Sequence, residues 1–429
     1  LTAGQRWLVH LLEQAPGLAR PVQRIYRLRR PVNTVALLGA FRHVVSAQPA
    51  LRLRLVRAEK GLAQAFPKID GDISGLRIQG RDATLQHAFA SHIVALEPRR
   101  TLDLGNEPPF LLKVLEWDDE TWLSVCLDHI AADDWAADIF ERELGGAYAR
   151  ELRGELHEPS PAASALYACL EREAAQRERE PANLAYWRSQ LMGIPLSRLD
   201  ASLPLWVPAT THRFGLSADA LGALVRACRS RQCSPFAAVV AALVALLLEL
   251  TQNDELVINV PVSGRTQASD HTVIMNLSML LHLRFRKADV QLGASWLRHV
   301  RNQLMEAMAH RQFEYAALGD AVATDAASRG GEVHFRTGIS YIIERNTDLA
   351  SNLLFEARID ESLGADSIPR ACFTVACRES TAGLKLTFDR DAASWPITNT
   401  ELEQRYLKML GAIVDLPLTS SGILGASTS

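Results

Sequence analysis

The sequence has no CxxC pair, no apolar run long enough to cross a bilayer and no excess of one charge. Each absence removes a class of function. Its six cysteines (Cys126, Cys169, Cys228, Cys233, Cys372 and Cys377) give two CxxxxC spacings, neither with the clustered histidines that a zinc site needs. No metal is expected, and free thiols in a reducing cytoplasm account for the cysteines. The most apolar stretch, Phe236 to Leu248, falls short of the roughly 20 residues that a spanning helix requires, so no membrane partner is expected. Basic residues number 46 and acidic residues 49, a net charge of −3, which argues against nucleic acid held through its phosphates. The densest basic run, "RIYRLRRP" from Arg24 to Pro31, reads as the solvated face of a strand or loop rather than as a site for an acidic partner. No glycine-rich phosphate loop, metal-binding helix motif or nucleophile elbow is present, and no close repeat or low-complexity tract. The opening "LTAGQRWLVHLLEQ" mixes charge with apolar residues, so no secretory leader is expected. A start on leucine suits a piece of a longer polypeptide.

What is present reads as a soluble α/β protein. The chain has 429 residues, 48% of them apolar and 22% charged, enough for about two domains with sizeable cores. "VNTVALLGAFRHVVSAQ" places Val32, Val35, Leu38, Phe41, Val44 and Val45 at helical spacing, and "LRLRLVRAE" alternates as a half-buried strand does. "PPFLLKVLEWDDETWLSVCLDHI" reads as a hairpin turning around Trp117–Glu120, and "AADIFERELGGAYARELRG" as a helix. Pro159 and Pro161 followed by a highly charged helix have the composition of a linker. The expected division is therefore an N-terminal lobe, residues 1–175, and a C-terminal lobe, 176–429. In the second, Ser234 is a candidate cap with Pro235 at the first helical position. The helix it starts, to about Leu250, is apolar nearly all round and should be buried. "ELVINVPVSGR" is a buried strand ending in a glycine turn, "SWLRHVRNQLMEAMAHRQ" a helix, and "FRTGISYIIE" and "GLKLTFDRD" are strands.

The chemistry-bearing stretch is "SVCLDHIAADDWAADIF", Ser124 to Phe140. A strand runs into His129, a short link follows, and Asp133 and Asp134 precede an amphipathic helix. A histidine beside carboxylates is an acid/base candidate; the plainer reading is a histidine satisfied by its neighbours without catalytic duty. Strand alternation puts Leu123, Val125, Leu127 and His129 on one face and Asp128 on the other, so Asp128 should point into its own lobe. Trp135 reads as a core anchor.

Several segments in order resemble the condensation-domain superfamily of nonribosomal peptide synthetases, along nearly the whole chain. The family's S/L-x-A-Q-x-R-x-W looks like "LTAGQRWL". Its R-H-E-x-L-R-T corresponds to "AQPALRL", which keeps Leu51 and Arg52. Its Y-A-x-W…YW is similar to "ALYACLERE…LAYWRSQL", its G-x-P-V-x-G-R to "INVPVSGR", and its H-Q-x-x-P-F-E to "HRQFEYAAL" from His310. The resemblance implies two chloramphenicol-acetyltransferase-like lobes in a V-shaped pseudo-dimer, mixed sheets with packed helices, and a tunnel between the lobes. The signature H-H-x-x-x-D-G falls on "DHIAADD". By the resemblance His129 is the residue that orients or deprotonates an acceptor amine attacking a carrier-bound thioester. Asp133 is then structural, paired with Arg265. Met275, Asn276 and Met279 lie where the family has a strand crossing between lobes, and the methionines would suit a filled channel.

Two departures matter. Asp128 replaces the first histidine and Asp134 the glycine. Glycine would permit a left-handed backbone, whereas the Asp134 carboxylate is expected to add bulk and charge where a pantetheine thioester passes. Carboxylates around the imidazole would favour its protonated form, a poor base. A final aspartate pair resembles the X-domains of glycopeptide-antibiotic synthetases, condensation-like domains without catalysis that recruit cytochrome P450 oxygenases to crosslink a carrier-bound peptide. That branch carries H-R-x-x-x-D-D, so His129 stands where it has arginine. The resemblance thus leans to a silent recruitment domain whose partners are P450 oxygenases and the synthetase's peptidyl carrier domain. No cofactor is expected in the domain itself: the phosphopantetheine belongs to the carrier and the haem to the P450. The second reading is an active condensation or acyltransfer enzyme, and an epimerase-like relative ranks last.

Overall fold

Side-chain caps set where the helices begin. Asn33, Asp133, Ser217, Ser234 and Thr398 each accept a hydrogen bond from the backbone N–H three residues on, and a helix starts at the next residue in every case. The computed structural model describes residues 1–14, 21–58, 61–67, 74–78, 83–96, 102–117, 120–197, 206–344, 351–359, 367–369 and 371–420. The first elements are α1 (Ala3–Gln14), β1 (Val22–Leu28), α2 (Thr34–Ala47), β2 (Arg54–Ala58), β3 (Gly61–Ala65), β4 (Ser74–Arg77), α3 (Ala83–Leu96), β5 (Phe110–Glu116), β6 (Thr121–Leu127), α4 (Asp134–Arg153) and α5 (Ala162–Gln176). There follow α6 (Glu180–Leu191), β7 (Trp206–Ser217), α7 (Ala218–Ser230), α8 (Pro235–Thr251), β8 (Glu255–Ser263), β9 (Ser278–Arg286), α9 (Ala294–Ala309) and α10 (Tyr315–Ser328). The last are β10 (Thr337–Ile343), β11 (Phe355–Arg358), β12 (Ser367–Pro369), β13 (Phe373–Ser380), β14 (Gly383–Asp391) and α11 (Asn399–Val414).

The chain divides into two units, one of residues 1–178, 263–278 and 346–363, the other of 179–262, 279–345 and 364–429. The C-terminal lobe read from the sequence, 176–429, contains both segments that return to the first unit. In that unit a sheet runs β11-β1-β6-β5-β4, antiparallel except for β4 beside β5. β6 is buried at every residue because helices cover both faces of the sheet. Leu123, Val125 and Leu127 pack with Phe41, Val44, Phe140 and Leu144 of α2 and α4. On the other face Trp122, Trp117 and Ile25 pack with Ala90 and Val94 of α3. The β5–β6 hairpin closes with Trp117 N–H donating to Glu120 O, and its middle residues, 118–119, lie outside the described residues. The α2 stripe differs from the one expected. Val35 is 81% exposed, because the buried stripe runs through Leu37, Ala40, Phe41, Val44 and Val45, three and four residues apart, and that phase turns Val35 away from the core.

The second unit holds a seven-stranded sheet, β12-β7-β14-β13-β10-β8-β9, with β10 parallel to both β13 and β8. Helix α8 is buried from Ala237 to Leu248. Helices α9 and α11 cover it, with Trp296 Nε1–H donating to Ala241 O at 3.0 Å and the Tyr406 hydroxyl to Val239 O at 3.2 Å. Burying each of its leucines and valines stabilises by roughly 1.5–3 kcal/mol. Among the described residues no single helix is long and apolar enough to cross a membrane.

Candidate functional site

Strand β6 delivers the chain to a tight turn rather than to a strand-end histidine. The strand stops at Leu127, and Asp128 N–H donates to Pro109 O at 2.8 Å. Asp128 then folds the turn. Its carboxylate accepts from Ile130 N–H at 3.0 Å, and its carbonyl accepts from Ala131 N–H at 2.9 Å and Ala132 N–H at 3.1 Å. This is an Asx turn, a local job that a short acceptor side chain does well. The period-2 alternation that grouped His129 with Leu127 therefore ends one residue too soon. Burial raises the Asp128 pKa above its ordinary value, while the Ile130 hydrogen bond and the attraction of His129 pull the other way.

His129 is half-buried inside this turn. Its Nδ1 lies 2.8 Å from Ala132 O. A carbonyl only accepts, so Nδ1 carries the proton, and a neutral ring keeps its lone pair on Nε2. Among the described residues no carboxylate is hydrogen-bonded to the ring. Asp128 is near enough for charge attraction with the ring, but the three aspartates accept their hydrogen bonds elsewhere, from Ile130 N–H, from Arg265 and the α4 cap, and from Arg24.

Asp133 caps α4 and fastens three segments together. Its Oδ1 accepts from Ala136 N–H at 2.8 Å and from Arg265 Nη2 at 3.0 Å. Its Oδ2 accepts from Leu277 N–H at 3.1 Å and from the Ser278 hydroxyl at 3.3 Å. The Arg265 guanidinium also donates to the carbonyls of Asp270, Val273 and Met275, and lies 5.8 Å from the centre of the Trp135 ring. Trp135, half-buried, rests between that cation and His271, 4.7 Å away. Asp270 steadies the same segment. Burial opposes its charge, but hydrogen bonds from Gln267 and Thr266 and the pairing with Arg172 outweigh that and hold its pKa low.

Asp134 is the first residue of α4, with ordinary helical backbone where a left-handed glycine site was expected. Its carboxylate accepts from Arg24 Nη2 at 2.6 Å. Arg24 is only 4% exposed, which corrects the reading of "RIYRLRRP" as a solvated face: β1 lies between β11 and β6, so its inward arginine must be paired. The pairing continues one turn and two turns along α4, where Asp138 and Glu141 bind Arg358 of β11 at 2.9 and 2.7 Å. Asp134 is thus one rung of an acid–arginine ladder between helix and sheet.

Two more side chains reach the turn. Asn276 Nδ2 donates to His129 O at 2.5 Å, and Gln5 Nε2 donates to Ile130 O at 2.9 Å. Asn276 lay in a segment the sequence marked. Gln5 carried no chemical signal beyond its place in the opening motif. Met275 packs with Val273, Leu277, Leu166 and Cys169 in the core of the first unit. Met279 lies in the second unit, also buried. His310, likewise in the second unit, bonds Asn183 at 3.0 Å and has no part in this turn. Among the described residues no group of histidine, cysteine and carboxylate side chains could hold a metal ion.

The mixed α/β units, with an H-x-x-x-D turn ahead of a helix, have a chloramphenicol-acetyltransferase-like fold. The family model described as "Condensation domain" matches residues 1–412, and the chain belongs to that family, the condensation domains of nonribosomal peptide synthetases. It is 27% identical over 297 residues to cyclosporin synthetase of Tolypocladium inflatum, covering 65% of this chain and 2% of that protein. It is 26% identical over 309 residues to malpinin synthetase of Mortierella alpina, covering 69% of this chain and 4% of that protein. The chain therefore spans a small part of the synthetases it matches. Among solved structures, the first condensation domain of the calcium-dependent antibiotic synthetase, in complex with a substrate analogue, has a TM-score of 0.72 at 16% identity, covering 98% of this chain and 97% of that one. The X-domain from teicoplanin biosynthesis has a TM-score of 0.73 at 23% identity, covering 98% and 96%. The same X-domain in complex with OxyB gives 0.72 at 21%, covering 97% and 92%. At these identities the structures speak for the fold alone.

Proposed function

We propose that this domain joins an acceptor amine or alcohol to an acyl chain held as a thioester on a carrier protein, with His129 as its proton acceptor. One observation carries the reading: His129 Nδ1 donates to Ala132 O, which leaves Nε2 as the lone-pair nitrogen. The acceptor nitrogen attacks the thioester carbonyl carbon and a C–N bond forms. Nε2 takes the proton that the nitrogen loses, the C–S bond breaks, and the proton passes to the departing pantetheine sulfur. Both departures from the signature are compatible with this. Asp128 builds the turn, and Asp134 pairs with Arg24.

A second reading is favoured by a different observation. The motif ends in Asp134 where the family has glycine, as in the X-domains of glycopeptide-antibiotic synthetases, and a teicoplanin X-domain bound to OxyB shares the fold. On that reading the domain recruits P450 oxygenases to a carrier-bound peptide. One experiment separates the two. Donor acyl-carrier protein and a panel of amines and alcohols are incubated with the domain and products read by mass spectrometry. Condensation expects product from the wild type and a loss of about 10²–10⁴-fold in His129→Ala. No product with any acceptor, together with co-elution with a pathway P450 and faster crosslinking, sinks the condensation reading in favour of recruitment.

A further inference from the structure

Two carbonyls of the turn that carries His129 accept from side chains that come from distant parts of the chain. Asp128 O accepts from Ala131 and Ala132 N–H, Ala132 O accepts from the His129 ring, and Asp133 O accepts from Ala137 N–H. The carbonyls of His129 and Ile130 instead go to two carboxamides from distant parts of the chain, Asn276 and Gln5. Both are buried, at 1% and 0% exposure.

Neither amide is free to turn over. Gln5 Oε1 accepts from Thr2 N–H at 2.9 Å while Thr2 Oγ1 accepts from Gln5 N–H at 3.2 Å, a capping box at the start of α1. Asn276 Oδ1 accepts from Ser278 N–H at 2.8 Å. With both oxygens committed, only the N–H₂ ends remain to point at the turn. The two segments also form one block. A Cβ on Gly4 would lie 2.1 Å from Ser278 O, so α1 meets the 276–278 backbone directly, and only glycine allows it.

We propose that Gln5 and Asn276 are positioning residues for His129. They pin the two peptide planes that follow the histidine. The ring's bond to Ala132 O spans those same planes, so pinning them holds the Nδ1-protonated ring and the direction of Nε2. This inference rests on the condensation reading for its catalytic consequence, but not for its structural one.

The test uses Gln5→Met and Asn276→Leu, which keep side-chain bulk and remove the donors. The ¹⁵N shifts of the His129 ring, assigned by their absence in His129→Ala, report which nitrogen carries the proton. Turnover is measured alongside. The wild type is expected to show the Nδ1-protonated tautomer alone, and each folded variant a mixture. Turnover should fall about ten- to a hundredfold through kcat, with KM within about twofold. Gln5→Glu, which retains the oxygen that Thr2 needs but offers no N–H, should behave as Gln5→Met does. Either position carries the test if the other variant fails to fold. An unchanged Nδ1 tautomer in the folded variants overturns the inference, whatever turnover does. A wild type without turnover, whose tautomer still depends on both amides, upholds the positioning and removes the condensation reading instead.

Discussion

His129 in the first unit and His282 in the second are held by the same kind of bond in different surroundings. His129 donates from Nδ1 to Ala132 O in the turn after β6. His282, on β9, donates from Nδ1 to Asn259 Oδ1 at 2.8 Å, and the Asn259 amide is fixed by its own bond to Phe335 O at 3.0 Å. His282 is 7% exposed and stacks on Phe335 at 4.6 Å, with the edges of Trp187 and Tyr315 beside it. Burial pushes its pKa down to about 4. The tautomer-setting bond is common to both, and the surroundings decide the use. A sealed ring is a neutral packing element, whereas a half-buried ring in a turn built from polar contacts leaves its second nitrogen outside that packing.

The largest way to break this comparison is to remove what stands under the first histidine. Arg265→Ala takes away the partner of buried Asp133 and the donor to three carbonyls at once. The expected loss is about 3–5 kcal/mol, because a buried carboxylate is left without its cation. Urea denaturation of the whole chain measures it, and a loss below about 1 kcal/mol would show that the 263–278 segment is held by packing alone.

Acid tests the second histidine. His282 titrates near 6.5 in the unfolded chain and near 4 in the fold, so between those values the unfolded chain holds the extra proton. Stability from this group is complete above about pH 6.5 and declines as the pH drops toward 4, by about 3 kcal/mol in all. The carboxylates titrate near the lower end of this window, so the difference between wild type and His282→Gln isolates the histidine. That difference should shrink steadily from neutral pH to about pH 4.5. A constant difference would mean that the ring is wetter than its 7% exposure implies.

How much of this was legible beforehand follows from the range of each interaction. Local signals served well: Ser234 and Pro235 start α8 as their types require, and the hairpin from Phe110 to Leu127 falls where two apolar runs flank an acidic turn. Readings that needed a partner from elsewhere in the chain did less well. Arg24 sits in a basic run, and no local rule says that β11 and β6 will flank its strand and force it onto Asp134. Alternation carried His129 onto the β6 face because nothing in "LDHIAA" announces that Asp128 will close an Asx turn there. Adjacent aspartates looked like a cluster of charge around the histidine, yet adjacency in sequence does not set side-chain direction, and the three carboxylates leave by three routes. The Gln5 bond to Ile130 spans 125 positions and leaves no pattern at all.

A double-mutant cycle on Arg24 and Asp134 sharpens the comparison from the charged side. The pair belongs to the ladder that ties α4 to the sheet, so its expected effect is on stability, with a coupling of about 0.5–3 kcal/mol between Arg24→Leu and Asp134→Gly. Restoring the motif's glycine alone should therefore weaken the protein, since it removes an oxygen from a buried guanidinium. Coupling near zero would leave Asp134 without a structural reason to be there and would favour a role at the histidine or on a partner.

Asp128→Asn asks the finest question, whether the neighbouring carboxylate acts on His129 or only folds its turn. An asparagine oxygen can accept from Ile130 N–H as the carboxylate does, so the turn should persist and turnover should stay within about twofold. Stability is the more telling readout. Burial raises the Asp128 pKa in the fold, so ionisation is harder there than in the unfolded chain. The contribution of this group is then largest in acid and is lost as the pH rises through the folded value. The asparagine variant should match or slightly exceed the wild type at neutral pH, within about 0.5 kcal/mol, and fall behind in acid. Asp128→Ala, which lacks the acceptor, should cost about 1 kcal/mol at any pH. If asparagine instead lowers turnover by more than about tenfold with the turn intact, the charge itself matters. Asp128 would then be working on the imidazole beside it, and the separation of building from chemistry drawn for this turn would fail.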